Sequence, residues 1–205
     1  MAKENQQLRQ RIAQQAARMM AEDGVNDYGY AKKKASRQLG ISDIAVMPSN
    51  QEVEEELRLY NALFMADEQP EHLQHLRKNA LFTMQLLAKF NPHLTGAVLD
   101  GTAGFGSDTH IHLFADSAKE VEIFLLNQNI PYESDEKSFR VMQDGKRDKK
   151  GEFRKKVPMF TLETELGLQK ISVFTVDDIR VSAKNPANGG SLDRINIDAL
   201  KDLLA

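Results

Sequence analysis

The stretch LDGTAGFGSDTHIHLF, Leu99–Phe114, decides how the rest of the chain is read. It holds three glycines (Gly101, Gly104, Gly106), two aspartates (Asp100, Asp108) and two histidines (His110, His112). The glycines and small polar residues punctuate a turn, and THIHLF then alternates as a half-buried strand does. Residues i, i+2 and i+4 of a strand face one way, so an extended segment projects Asp108, His110 and His112 from a common face. Two imidazoles and a carboxylate at that spacing can ligate a divalent ion. The same pattern also suits a polar row on a solvent-facing strand.

Two other readings of the stretch make stricter demands. A phosphate-binding GxxxxGK[ST] loop needs a lysine to neutralise the phosphates, and Ser107 stands where that lysine belongs, although Gly101 and Gly106 have the right separation. VLDGTAGFGSD resembles the strand, acid and glycine loop that holds S-adenosylmethionine in some ribosomal RNA methyltransferases. That loop leads into a helix, whereas THIHLF reads as a strand. The chain that follows is also too short for the remaining crossovers of such a domain, at roughly thirty residues per βαβ unit.

The 205 residues suffice for one generous domain or two small ones, and a hydrophobic content of 41% supports a packed core. A formal net charge of −3 argues neither for nor against nucleic acid. Cysteine is absent, which excludes disulfides and thiolate metal sites. No run approaches the ~18 apolar residues of a membrane span, and MAKENQQLRQRIAQQAARMM lacks a signal-type apolar core. The expectation is a soluble, cytoplasmic protein with no membrane partner.

The texture divides near Pro92. Before it the chain reads as helices. Leu8, Ile12, Ala16 and Met19 stripe a helix over about 4–22, stopped at Gly24. Asn26 or Asp27 caps a second through YGYAKKKASRQL, closed by Gly40. Pro48-Ser49-Asn50 opens a third with Val53, Leu57, Tyr60, Leu63 and Phe64 on its apolar face. A fourth begins near Pro70 and carries Leu73, Leu76, Ala80, Met84, Leu87 and Phe90 up to Asn91-Pro92. After Pro92, GAVL, THIHLF, SFRVM, VPMFTLET and QKISVF read as strands. They are interrupted by a helix over about Asp116–Gln128, with Ser117 and Glu120 spaced as a capping box. Ala187-Asn188-Gly189-Gly190 reads as a flexible link to a last helix, DALKDLLA.

A small residue after a glycine, a gap, then Ser-Asp-x-Asp on a strand is the signature of the nucleotidyltransferase superfamily with the DNA polymerase β-like fold. LTGAVLDGTAGFGSDTHIHLF resembles it. Gly96-Ala97 falls where that family has Gly-Ser, Gly101 at the glycine before the turn, and Ser107-Asp108 at the Ser-Asp of the metal motif. ADSAKEVEIFLLNQNIPYE resembles the helix and strand that follow the motif in a bacterial subfamily. The helical N-terminal half of that subfamily is similar to RIAQQAARMMAEDGVNDYGYAKKKASRQLGI. The resemblance covers most of the chain. It implies an α+β fold: a helical region at 1–92 and, at 93–205, a nucleotidyltransferase-like domain with a mixed sheet and flanking helices.

The resemblance further implies transfer of a nucleoside monophosphate from a nucleoside triphosphate to an acceptor, protein or RNA, assisted by divalent magnesium or manganese. Asp108 and His110 would be the catalytic pair, and Asp108, His110 and His112 the metal ligands. Gly96, Ala97, Gly101 and Ser107 would line the nucleotide. The chain departs from the family at three points. His110 replaces the second acid, Ala97 replaces the serine, and QKISVF offers Ser172 but no third carboxylate. A neutral imidazole cannot bridge two magnesium ions as a carboxylate does. The expected product is a degenerate site, with a non-catalytic nucleotide- or protein-binding scaffold as the competing class. No pattern in the sequence sets the acceptor, the base or the oligomeric state.

Remaining features read as surface or core. Lys146, Arg147, Lys149, Lys150, Arg154, Lys155 and Lys156 make a basic run at an expected hairpin tip. Asp177-Asp178 reads as a turn or helix cap, His72 and His75 as surface residues, and Met19, Met20, Met65 and Met84 as core filler.

Overall fold

Local hydrogen bonding sets the boundaries of the N-terminal helices. The structure, a computed structural model, describes residues 2–141 and 153–205. α1 (Ala2–Glu22) buries Ile12, Ala16 and Met19 with Ala13, Ala17, Met20 and Ala21, and it packs against α2 (Tyr28–Gln38) and α3 (Asn50–Phe64). Its alanines leave no side chain to hold neighbouring backbones apart. Gly24 adopts φ +66° and ends the helix. Asp27 caps α2, its Oδ1 accepting from Tyr30 N–H at 2.6 Å, and Gly40 closes the element at φ +67°. Ser49 and Glu52 form a reciprocal capping box at the start of α3.

The apolar stripe read for α3 is only partly core. Val53 and Leu57 are buried, but Leu63 and Phe64 are 72% and 68% exposed. The last turn of the helix continues its period beyond the end of the packed core. α4 (Glu68–Leu86), followed by a 3-10 turn at Ala88–Phe90, behaves as its stripe demands: Leu73, Leu76, Ala80, Met84, Leu87 and Phe90 are all buried. Asn91 then takes a left-handed conformation, φ 48°.

The strand expected in GAVL is a correction. β1 is His93–Thr95, and Ala97–Asp100 forms a single helical turn, α5. Gly96 at φ +75° breaks the extended run, and Asp100 N–H bonds Gly96 O at 2.9 Å to close the turn. Arg77 of α4 donates through Nε to Val98 O and through Nη2 to Leu99 O, both at 3.0 Å, satisfying carbonyls at the end of that turn. The remaining elements are β2 (Thr109–Phe114), α6 (Ala118–Asn127), β3 (Glu133–Val141), β4 (Phe153–Thr164), β5 (Gly167–Phe174), β6 (Arg194–Ile195) and α7 (Ile197–Leu204). Ser117 caps α6 by accepting from Glu120 N–H. Residues 187–190 are not a simple link. Asn185 N–H bonds Gly190 O at 2.8 Å and Lys184 bridges Ser191, so the segment is a closed turn.

The fold is α+β. Six strands form one mixed sheet in the order β3-β4-β5-β2-β1-β6, with β2 and β5 parallel and the other neighbours antiparallel. Leu94, Ile111, Leu113, Phe160, Leu162, Ile171 and Val173 project from one face and are buried. The other face carries the candidate site. No described helix is long and apolar enough to cross a membrane.

The chain divides into two compact units. One comprises Met1–Leu73, Gly101–Ser107 and Pro186–Asn188; the other comprises Gln74–Asp100, Asp108–Asn185 and Gly189–Ala205. Within the first, the glycine loop is pinned to helices. Gln69 Nε2 donates to Gly101 O at 3.1 Å and to Ala103 O at 2.9 Å. A Cβ on Gly104 would lie 2.8 Å from Ala21 O, closer than real Cβ atoms come to an oxygen. Gly104→Ala should therefore destabilise the protein by about 1–3 kcal/mol, the usual range for forced overpacking. Urea denaturation checks this, and an unchanged midpoint would refute the close packing.

Candidate functional site

Strand alternation and register assemble the site. His110, His112 and Phe114 leave β2 on the face opposite Ile111 and Leu113. On neighbouring strands, Thr95 pairs His110 and His93 pairs His112, while Lys170 and Ser172 of β5 stand beside the same two histidines. The two imidazoles thus share a face, and the segment after the glycine bend is a strand, both as the alternation predicts. Asp108 precedes the first strand residue. Its carboxylate accepts from Lys170 Nζ at 2.6 Å, with side-chain exposures of 12% and 29% for the acid and the lysine.

The C-terminal end of this face is aromatic. The His112 ring lies 5.2 Å from Phe139 and 4.7 Å from Phe174, and Phe114 stacks on Phe174 at 5.8 Å. Phe139 belongs to β3, which β4 and β5 separate from β2 in the sheet. A ring contact across two intervening strands requires the sheet to curl toward this face. Val141, Val157 and Ala183 complete the cluster. The Arg194 guanidinium lies 4.9 Å over the Phe114 ring and donates to Ile179 O.

Around the two histidines the nearby charges are Lys137, Lys170 and Arg194, with Asp108 held by Lys170. Burial, with Lys137 and Lys170 nearby, pushes the His110 imidazole down to about 3. Burial, with Lys137 and Arg194 nearby, does the same to His112, also to about 3. Both rings are therefore neutral near pH 7. Lys137 is itself lowered, first by burial and then by Lys170, while Asp108 works the other way. Sequence reasoning passed over Lys137, Lys170 and Arg194. The signal for Lys170 lay in QKISVF, where it is the one charged residue of the strand, two positions before Ser172.

The site residues read from the sequence fall into two groups. Gly96, Ala97, Asp108, His110 and His112 lie in the second unit; Gly101 and Ser107 lie in the first. Gly96 packs close to His110, whose Cδ2 lies 3.4 Å from where a Cβ would sit. Ala97 begins α5. Gly101 presents its carbonyl to Gln69, and Ser107 Oγ accepts from Gly104 N–H at 3.0 Å. These contacts account for both residues by packing within the loop. Among the described residues no group of three or more histidine and carboxylate side chains is gathered as metal ligands would be.

No family model, curated protein or solved structure matches this chain.

Other candidates have structural employment. Asp178 accepts from Lys155 Nζ at 2.5 Å and from Thr175 N–H at 2.9 Å, so it caps a 3-10 turn at Val176–Arg180. Lys155 and Lys156, which pairs Glu136 at 3.7 Å, lie on β4, while Lys146, Arg147, Lys149 and Lys150 lie outside the described residues. His72 is not a free surface residue: its ring stacks on Phe105 at 4.6 Å.

The buried histidines make stability depend on pH. A depressed folded value means the unfolded chain binds the extra protons, so stability is full above about 6.5 and falls as the pH drops toward 3. His112→Phe keeps the ring volume and removes one such proton. Its urea midpoint should fall less than that of the wild type between about pH 7 and about pH 4. Parallel pH profiles would refute the buried neutral imidazole.

Proposed function

We propose that this protein is a nucleotidyltransferase-like module that binds a nucleotide without transferring it. The observation that carries this reading is the Asp108–Lys170 ion pair at 2.6 Å. Nucleotidyl transfer with two divalent ions needs carboxylates that bridge them, from Asp-x-Asp on one strand and a third acid on a neighbour. In this chain the first acid is neutralised by a lysine, the second position is a neutral imidazole, and the strand neighbours are Lys170, Ser172 and Thr95. A divalent cation fits this donor set poorly, because Lys137 and Lys170 oppose it electrostatically. What supports nucleotide binding is the set of cations beside His110, which attract phosphates, next to the close approach of Gly96 to that ring.

The test pairs two measurements. Each of the four ribonucleoside triphosphates is incubated with the protein in magnesium or manganese, and pyrophosphate release is followed. Binding is read as a rise in melting temperature at saturating nucleotide with a chelator present, since a ligand that binds only the folded state stabilises it. The expected outcome is stabilisation by at least one nucleotide with no pyrophosphate formed. Metal-dependent pyrophosphate release that disappears in Asp108→Ala would overturn the binding-module reading in favour of an active transferase.

A further inference from the structure

Two lysines from different strands approach one imidazole, and only one of them has an anionic partner. Lys170 of β5 holds Asp108. Lys137 of β3 is half-buried with its Nζ 5.2 Å from the Phe139 ring centroid, and it makes no hydrogen bond or ion pair with any described residue. His110, one strand over from Lys170, likewise has no hydrogen-bond partner among the described residues. Lys137 shares a face of β3 with Phe139, whose ring meets His112, and its charge acts together with that of Lys170 on the His110 ring.

We propose that Lys137, Lys170 and His110 form an anion site that holds the phosphoryl groups of a nucleotide directly, with no metal ion between protein and phosphate. This deepens the binding-module reading and rests on it for the nucleoside part. The local charge balance supports an anion: among the groups that act on Lys137 and His110, two ammonium groups and a neutral imidazole meet one carboxylate, while Glu133 and Asp135, on the same face of β3, are exposed to water. The donors are also in excess of acceptors. Lys137 offers three N–H groups, Lys170 retains two beyond its bond to Asp108, and a neutral imidazole offers one. A diphosphate or triphosphate has enough oxygens to accept from all three residues, and charge-assisted bonds to phosphate are among the stronger ones. Desolvation and mutual repulsion already depress the Lys137 ammonium. A phosphate between the two lysines would relieve that repulsion.

The inference separates from a metal site by the sign of one substitution. In a metal site, Asp108 is a ligand, and Asp108→Asn weakens phosphate binding. In a lysine site, Asp108 competes with phosphate for Lys170, and Asp108→Asn strengthens it. Isothermal titration, run with magnesium and again with chelator, uses three probes (pyrophosphate, each nucleoside triphosphate, and adenosine) on the wild type, Lys137→Met and Asp108→Asn. Methionine keeps the apolar stem over Phe139, so Lys137→Met is expected to fold, and circular dichroism checks it.

The expected result is binding of pyrophosphate and of at least one triphosphate but not adenosine. Lys137→Met should weaken it by about tenfold or more and Asp108→Asn should tighten it several-fold. Should Lys137→Met prove unfolded, Asp108→Asn alone decides. Triphosphate binding that ignores Lys137→Met, or weakens in Asp108→Asn, overturns the lysine site while the nucleotide reading stands. Pyrophosphate binding that depends on Lys137, with no triphosphate bound, retains the site and sinks the nucleotide reading. Binding of neither probe overturns both.

Discussion

The second unit depends on how the charge at the mouth of β2 is settled. Asp108 leaves the glycine bend with little access to water, and a carboxylate in that position must find a cation or become protonated. Lys170 supplies the cation from the parallel strand beside it, in register with His110. The pairing is possible only because β5 lies next to β2 in the sheet, although α6, β3 and β4 intervene in the chain. The topology thus decides the chemistry of the site: the residue opposite the aspartate pocket is an ammonium. Removing either partner would leave a poorly solvated charge, a costlier state than having neither.

From that pair the face runs from half-buried charged groups to a buried aromatic end. Next to the ion pair are the half-buried Lys137 and His110; beyond them His112 is fully enclosed by Phe139 and Phe174. An imidazole with aromatic rings on two sides and cations nearby cannot hold a proton near neutrality, so it acts as a flat, apolar wall with polar edges. The gradient from a charged end to an aromatic end along one pair of strands is a geometry suited to a ligand with an anionic part and an apolar part. The opposite face is mostly aliphatic and phenyl core, with Thr109 and Gln169 buried at one end of it.

Much of the fold was legible because its signals are local. Asp27, Ser49 and Ser117 cap their helices through bonds that span three residues, and such bonds do not wait on tertiary structure. Period-two alternation in THIHLF fixed which residues share a face. The failures have equally specific causes. GAVL is apolar and short enough to suit either a strand or a turn, and the left-handed Gly96 settled it. The stripe of α3 gave the right face but no sign of where the core ends, so Leu63 and Phe64 were assigned to a contact they do not make. Lys137 and Lys170 were invisible as a site because their proximity depends on sheet order and curl, which no short window of sequence encodes.

The glycine loop carries the most general lesson. The three glycines of this loop have the freedom a phosphate cradle needs, since glycine permits close backbone approach to a ligand. It permits equally close approach to another backbone. Gly104 sits against the Ala21 carbonyl, Gly106 against Gly24, and the loop carbonyls at Gly101 and Ala103 are claimed by Gln69. Phosphate would need backbone N–H donors, and those of Gly104 and Ser107 are already bonded within the loop. A glycine-rich turn beside an acidic strand therefore identifies a place where the chain must pass tightly. Whether that place binds anything is decided by the side chains that converge on the strand after it, and in this protein those are cationic.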